Sequence, residues 1–258
     1  MTDALTANPW FPYHKENRQA RLNLFCFPYA GGGALIYRNW SRNLPATVAV
    51  QAVQLPGRGN RILTEPFTDM TDLVPATANA LLPYLDQPFA FFGHSMGARI
   101  SFELARYLRR NNGPRPEALF VSGGRAPQVP DDDDDPIRYN LPEPEFIEEL
   151  RRLNGTPPEV LEHPELLQLM IPLLRADFSL VETYEYLSEP PLDCPIFAFG
   201  GLQDVDVSRA HIEAWREQTT GHFWMRMFEG DHFFFHTCET DLLRIIGQKL
   251  HQLGAAGI

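Results

Sequence analysis

Short, continuously apolar runs alternate along this chain with longer stretches whose apolar positions recur every three or four residues. LNLFCF (22–27), VAVQAVQL (48–55), PFAFFG (88–93), EALFVSGG (117–124), CPIFAFG (194–200) and HFWMRMF (222–228) predict strands. Most lack a polar face, as strands covered on both sides do. The stretches 70–85, 98–110, 208–219 and 239–253 predict helices. In 98–110, Ile100, Leu104, Tyr107 and Leu108 share a face, and Arg109 and Arg110 precede an Asn-Asn-Gly stop. The alternation predicts one α/β domain over residues 1–258, with a mostly parallel central sheet flanked by helices.

One region breaks the rhythm. From about 141 to 187 no strand pattern appears, and LPEPEFIEELRRLNG, PPEVLEHPELLQLM and IPLLRADFSLVETYEYL predict consecutive helices punctuated by Pro and Gly. A helical insertion after a central strand sits above the carboxyl edge of the sheet, where α/β proteins bind ligands, so it is read as a lid. Just before it, the run Asp131 to Asp135 reads as a solvated loop, because five consecutive like charges cannot all point inward.

The sharpest chemical signal is Gly93-His94-Ser95-Met96-Gly97, a GxSxG pentapeptide with an apolar strand before it and an amphipathic helix after it. That context makes it a nucleophile elbow, in which a sharp turn lifts Ser95 clear of the sheet. A serine hydroxyl needs a base. Of the eight histidines, His232 lies in the loop between the last strand and the final helix, with His236 as its rival. The orienting acid is expected after a strand between these two, where Asp204 is preferred and Asp206 is assigned to the start of the next helix near Ser208. Asp231 adjoins His232, but neighbouring side chains diverge. Oxyanion donors are expected from the backbone of Met96 and from Tyr29 or Ala30 in FPYAGGGA, the loop after the first main strand. Gly31 to Gly33 lack the lysine and helix-opening spacing of a nucleotide loop.

FPYAGGGA, LPGRG (55–59), GHSMGA (93–98), RRLNGTPPEVL, PLLRADFSLVETYEY, GGLQDVDVS and FEGDHFFF together resemble the type II thioesterases of nonribosomal peptide and polyketide assembly lines, in family order over about 20–250. The resemblance implies an α/β-hydrolase fold and hydrolysis of acyl or aminoacyl thioesters on the 4′-phosphopantetheine arm of a carrier protein. It puts the family's nucleophile on Ser95, its acid on Asp204 and its base on His232, and it implies no metal or organic cofactor. The family often has His or Phe where this chain has Tyr29, a change without consequence if the backbone amide is what matters. The vertebrate medium-chain thioesterase of fatty acid synthesis is similar to the same group. A carboxylesterase acting on oxygen esters is the other enzymatic reading, and a non-catalytic binding protein on a hydrolase fold is the third.

Composition narrows the setting. A formal net charge of −11 opposes binding to phosphate backbones and anionic lipid. Three cysteines without a CxxC pair oppose a disulfide framework or zinc site, no run is long and apolar enough to span a bilayer, and no secretory leader is evident, so a cytoplasmic enzyme is the expectation, taken to be a monomer. Because carrier proteins are usually acidic, docking on so acidic a chain calls for either a local basic patch or mainly apolar contact, with Arg58, Arg61 and Arg125 as candidate members of the patch.

Overall fold

A computed structural model describes residues 8–130 and 137–256. The acidic run Asp131 to Asp135 lies outside the described residues. The elements in chain order are β1 (Leu22–Phe27), β2 (Val48–Ala52), α1 (Met70–Leu81), β3 (Phe89–His94), α2 (Met96–Arg110) and β4 (Leu119–Ser122). Then follow α3 (Glu143–Leu153), α4 (Pro158–Leu161), α5 (Pro164–Glu182), β5 (Ile196–Gly201), α6 (Arg209–Glu213), β6 (Phe223–Phe228), α7 (Phe234–Thr237) and α8 (Glu239–Ala256).

The strands form one sheet in the order β2-β1-β3-β4-β5-β6, and every pairing is parallel. Side-chain alternation sends successive strand residues to opposite faces. On β1, Phe25 and Phe27 join Phe89 and Phe91 on one face, while Leu24 and Cys26 join Ala90, Phe92 and Phe120 on the other. Helices α1 and α2 supply Leu73, Val74, Ile100 and Leu104 to the first core, and α8 supplies Leu242, Leu243 and Ile246 to the second. Both faces of the central strands are therefore dry, which is why their sequences show no polar alternation.

The order of strand addition reverses between β1 and β3, since β2 adds on one side of β1 and all later strands on the other. A crevice opens at the carboxyl ends of strands flanking such a reversal. The loops after β1 and β3 border it, and these are the loops carrying Ala30 and Ser95.

Local boundaries differ from the sequence reading where side chains take over from periodicity. The second strand stops at Ala52 rather than 55, although Val53 still donates its N–H to Cys26 O at 3.0 Å. Beyond it the Gln54 side chain, not a ladder, accepts the Ala34 N–H at 2.7 Å and donates to Arg58 O at 2.8 Å. The predicted helices 70–85 and 208–219 each end as a short 3₁₀ turn, at Leu82–Tyr84 and Ala214–Gln218. The loop after β1 also contains 3₁₀ turns at Ala34–Tyr37 and Trp40–Arg42 that periodicity does not signal. α2 ends as expected, with Gly113 N–H donating to Leu108 O at 2.8 Å.

Helices α3, α4 and α5 occupy the interval between β4 and β5, as the break in periodicity predicts. They share a small core of Phe146, Leu150, Leu167, Ile171 and Leu174. The carboxyl-terminal half of α5 is rooted in the body. Ser179 Oγ donates to Thr68 O at 3.0 Å, and Arg99 donates to Val181 O at 2.7 Å. Just past the helix, the Tyr184 hydroxyl donates to Glu103 at 2.6 Å.

Candidate active site

Ser95 sits between β3 and α2 with φ +53° and ψ −117°, a backbone conformation that non-glycine residues rarely adopt. It is held there from both sides. Ser95 N–H donates to Ser122 O of β4 at 2.8 Å, and Ser95 O accepts from Ala98 N–H at 2.9 Å. A Cβ on Gly93 would run into the Gly97 carbonyl, and one on Gly97 into Phe27 O. Only glycine lets strand, turn and helix approach this closely. The serine is half-buried and opens onto a cavity of about 240 Å³ that also meets Ala30, Met96, Gly124 and His232.

His232 follows β6 and directs Nδ1 at Asp204 Oδ2, 2.7 Å away. The Asp204 side chain is fully enclosed, and its Oδ1 accepts the N–H groups of Asp206 at 3.0 Å and Val207 at 2.9 Å. Those amides fix the carboxylate in one rotamer. The loops bearing the two residues are pressed together at Gly201, where a Cβ would strike Asp231 O and Gly230 O. Leu202 N–H to Phe228 O at 2.8 Å and Gln203 N–H to Gly230 O at 2.9 Å continue the contact. With Nδ1–H directed at a carboxylate, Nε2 is left as the basic nitrogen of the imidazole.

Among the described residues, His232 is the histidine that meets Asp204. His236 packs on the Phe235 ring at 4.0 Å instead. His94 is wholly buried behind the elbow, with Nδ1 3.0 Å from Ser122 Oγ and its ring 5.2 Å from that of His232. Burial pushes its pKa well below the usual value, and the nearby His232 and His236 add to the effect. His211 belongs to the capping box that opens α6 with Ser208.

Asp206 does not serve that helix, contrary to expectation. Ser208 caps it, and Asp206 pairs with Arg152 of α3 at 3.1 Å. Asp231 accepts the Phe233 N–H at 2.8 Å and a bond from the lid residue Asn154 at 3.2 Å. Both loop acids therefore link the site to the helices inserted between β4 and β5.

The loop after β1 turns back at Gly31, which has φ +77°. Gly32 N–H donates to Tyr29 O at 2.9 Å, and Gly31 N–H donates to Asp177 Oδ2 of α5 at 2.7 Å. The Tyr29 ring packs edge-on to Phe233, with centroids 4.9 Å apart. A second, smaller cavity of about 80 Å³ runs from Ser95 and His232 toward the lid, lined by Leu150, Thr156, Leu174 and Phe178.

One candidate member of the basic docking patch, Arg58, is not available to it. Arg58 is 6% exposed and makes two bonds to Asp177, Nη2–Oδ1 at 2.6 Å and Nη1–Oδ2 at 2.7 Å. Its aqueous surface is replaced by a carboxylate, so it offers no charge to a partner. Arg61 lies over the Trp10 ring at 4.0 Å and donates to Gln54 O at 3.0 Å. Arg125 lines the larger cavity and donates to Pro130 O at 2.7 Å. Asp177 itself escaped the sequence reading. Its signal was an acid set among Leu173, Leu174, Ala176 and Leu180 on a buried helix face.

Among the described residues, no group of three or more His, Cys, Asp or Glu side chains is placed to hold a metal ion. Nor is any helix there long and apolar enough to cross a membrane.

An enclosed acid, an imidazole fixed on it and a serine on a strained elbow, all at the carboxyl edge of a parallel sheet, define a hydrolase-type site of the α/β class. The chain belongs to the thioesterase domain family, whose model matches residues 22–250. It is 48% identical over 254 residues to the linear gramicidin dehydrogenase LgrE of Brevibacillus parabrevis, covering 96% of each chain. It is 45% identical over 250 residues to the gramicidin S biosynthesis protein GrsT of Aneurinibacillus migulanus, covering 97% of each. Among solved structures it resembles RedJ, a thioesterase from the prodiginine biosynthetic pathway in Streptomyces coelicolor. The TM-score is 0.84 with 39% identity, over 92% of this chain and 94% of that one.

Proposed function

We propose that this chain is a stand-alone, single-domain serine thioesterase that removes acyl or aminoacyl groups from the 4′-phosphopantetheine arm of carrier proteins. On this reading it edits a nonribosomal peptide or polyketide synthase and works in the cytoplasm as a monomer. The observation that carries it is the His232–Asp204 contact of 2.7 Å beside the strained Ser95, with serine and histidine opening on one cavity. Membership of the thioesterase family and likeness to proteins named for gramicidin and prodiginine biosynthesis support the substrate class.

In the mechanism, Ser95 Oγ attacks the thioester carbonyl while His232 Nε2 takes its proton. Asp204 holds the imidazole in the required tautomer and stabilises the imidazolium. The tetrahedral oxyanion is met by Met96 N–H at the start of α2 and by an amide of the Tyr29–Ala30 segment. The amides of Gly31 and Gly32 are engaged within the protein, which favours Ala30, a residue bordering both cavities. The pantetheine thiol leaves with the proton from His232. Water, activated by the same imidazole, then releases the acid.

A dehydrogenase reading, raised by one relative's name, calls for a dinucleotide cradle. Here the turn after β1 is Gly31-Gly32-Gly33-Ala34-Leu35-Ile36, which lacks the third glycine and enters a 3₁₀ turn rather than an α-helix. This favours the hydrolase.

The test follows loss of acyl groups from a panel of loaded carrier proteins by intact mass, beside matching pantetheine thioesters and p-nitrophenyl esters. Ser95-dependent clearing, faster on the carrier than on the small thioester, is the expected result. Ester cleavage with carriers untouched would replace this reading with a general esterase.

A further inference from the structure

The buried pair Arg58–Asp177 has no part in the mechanism above, and its cost calls for an explanation. Both side chains are almost wholly enclosed, at 7% and 0% exposure. Desolvating two charges commonly offsets their attraction, so such a pair is a weak source of stability. What this pair touches is more telling. Asp177 Oδ2 accepts both Arg58 Nη1–H at 2.7 Å and the backbone N–H of Gly31 at 2.7 Å. Arg58 Nη1 also donates to Gly32 O at 2.9 Å, and Nε donates to Pro56 O at 3.1 Å. The neighbouring Leu174, one turn earlier on α5, fills the space beside Gly31 where a Cβ would stand. Two peptide groups of the loop after β1, Ala30–Gly31 through its N–H and Gly32–Gly33 through its carbonyl, are thus held by a charged clamp, and half of that clamp belongs to α5.

We infer that Asp177, seconded by Arg58, is a positioning residue that aims the Ala30 amide at the oxyanion and makes that aim depend on α5 being seated. The inference rests on the proposed role of the Tyr29–Ala30 loop. Ala30 is joined directly to Gly31, so freeing the anchored Gly31 amide loosens the Ala30 backbone that presents the donor N–H. A donor contributes to the transition state only when held about 2.7–3.1 Å from the developing charge, and loss of one donor lowers kcat by about 10²–10³. Misaiming one through a slack loop is a fraction of that effect. α5 is also rooted through Ser179, Val181 and the following Tyr184, which keeps its half of the clamp seated on the body.

The test compares wild type, Asp177→Asn and the apolar pair Arg58→Met/Asp177→Leu on p-nitrophenyl acetate, an acyl-pantetheine and a loaded carrier. Melting temperature, kcat, KM and the acylation burst are measured for each. The expected result is a kcat lower by about tenfold in Asp177→Asn and by up to about a hundredfold in the pair, below or at the lower end of the roughly 10²–10³ for outright loss of one oxyanion donor. KM should change less than threefold on the small substrates, with the burst slowed in parallel. The pair should melt near wild type, as apolar replacement of buried ions commonly allows. A folded pair with wild-type kcat would overturn the inference, as would a rise in KM alone. If the pair does not fold, unchanged kcat in Asp177→Asn overturns it equally. Carriers left untouched while the ester assays show these losses would sink the editing role and leave the clamp standing. Absence of Ser95-dependent hydrolysis of any substrate by wild type would remove both.

Discussion

Phe91, Phe92, Phe120 and Phe199 in the sheet are completely enclosed, and the strands that carry them pair along their length. Helices α3, α4 and α5 share the small core around Phe146 and Leu150, α5 also sends Leu180 into the first sheet core, and polar groups make further contacts to the body. Asn154 bonds Asp231, Arg152 pairs with Asp206, and Asp177 grips Arg58 and Gly31. The sheet, held by non-directional burial, supplies a rigid frame for Ser95, Asp204 and His232. The exposed Arg152–Asp206 and Asn154–Asp231 contacts, directional and partly wet, break and remake at small cost. Even within the lid the division recurs, since α5 is bolted to the body while α3 and α4 hang on exposed pairs.

The sharpest way to test this contrast is to disable chemistry without touching the frame. Ser95→Ala should lower kcat by about 10⁴-fold or more, with the melting temperature held or raised. Survival of a hundredth of the activity would mean that another group is the nucleophile. Asp204→Asn should come next, at roughly 10³–10⁴-fold in kcat, because the imidazole loses its tautomer while the Asp206 and Val207 amides still have an acceptor. Phe120→Ala should destabilise the whole molecule by about 3–5 kcal/mol in denaturant titrations. Phe146→Ala in the lid should leave the global transition nearly in place and instead speed proteolysis within 143–161. Equal shifts of the global midpoint in these two variants would erase the distinction drawn above.

A smaller effect is expected with pH. His94 is buried neutral, its pKa depressed by desolvation, so its contribution to stability is complete above the ordinary value of about 6.5 and is lost as pH falls below it. His94→Gln should flatten the decline in melting temperature between about pH 7 and 5. A decline as steep as wild type would assign it to other groups. The smallest effect belongs to Arg152→Ala. The pair with Asp206 is partly solvated, so stability should change by no more than about 1 kcal/mol, while hydrogen exchange in α3 should rise.

Much of this could be read from the chain because its signals are local. Strands buried on both faces announce themselves as apolar runs, and the elbow as glycines around Ser95 between a strand and a helix. His232 and Asp204 follow from their places after strands once the serine is chosen. The clamp could not be read so easily, because Arg58 and Asp177 are far apart in sequence and each looks like an ordinary surface charge. Arg58 was therefore placed on a docking face, when its real surroundings are a carboxylate and two backbone carbonyls. The short helix α7 within the FFFHT segment and the 3₁₀ turns after β1 were hidden for a related reason. Each is too short to show a period, and tertiary packing of Tyr37, Trp40, Phe234 and Phe235 decides it.

The position of the lid between β4 and β5 also governs how the chain assembles. Since all five strand pairings are parallel, none can be closed by a tight turn, and the β4–β5 pairing must close a loop that contains all three lid helices. The entropy of closing a flexible loop rises only logarithmically, by about 0.6 kcal/mol for each doubling of length. A cover over the site can thus be lengthened or rebuilt at almost no thermodynamic expense to the sheet. The penalty appears in time instead, as slow non-local pairing that leaves β5 and β6 waiting, during folding, for a partner strand on the far side of the insertion.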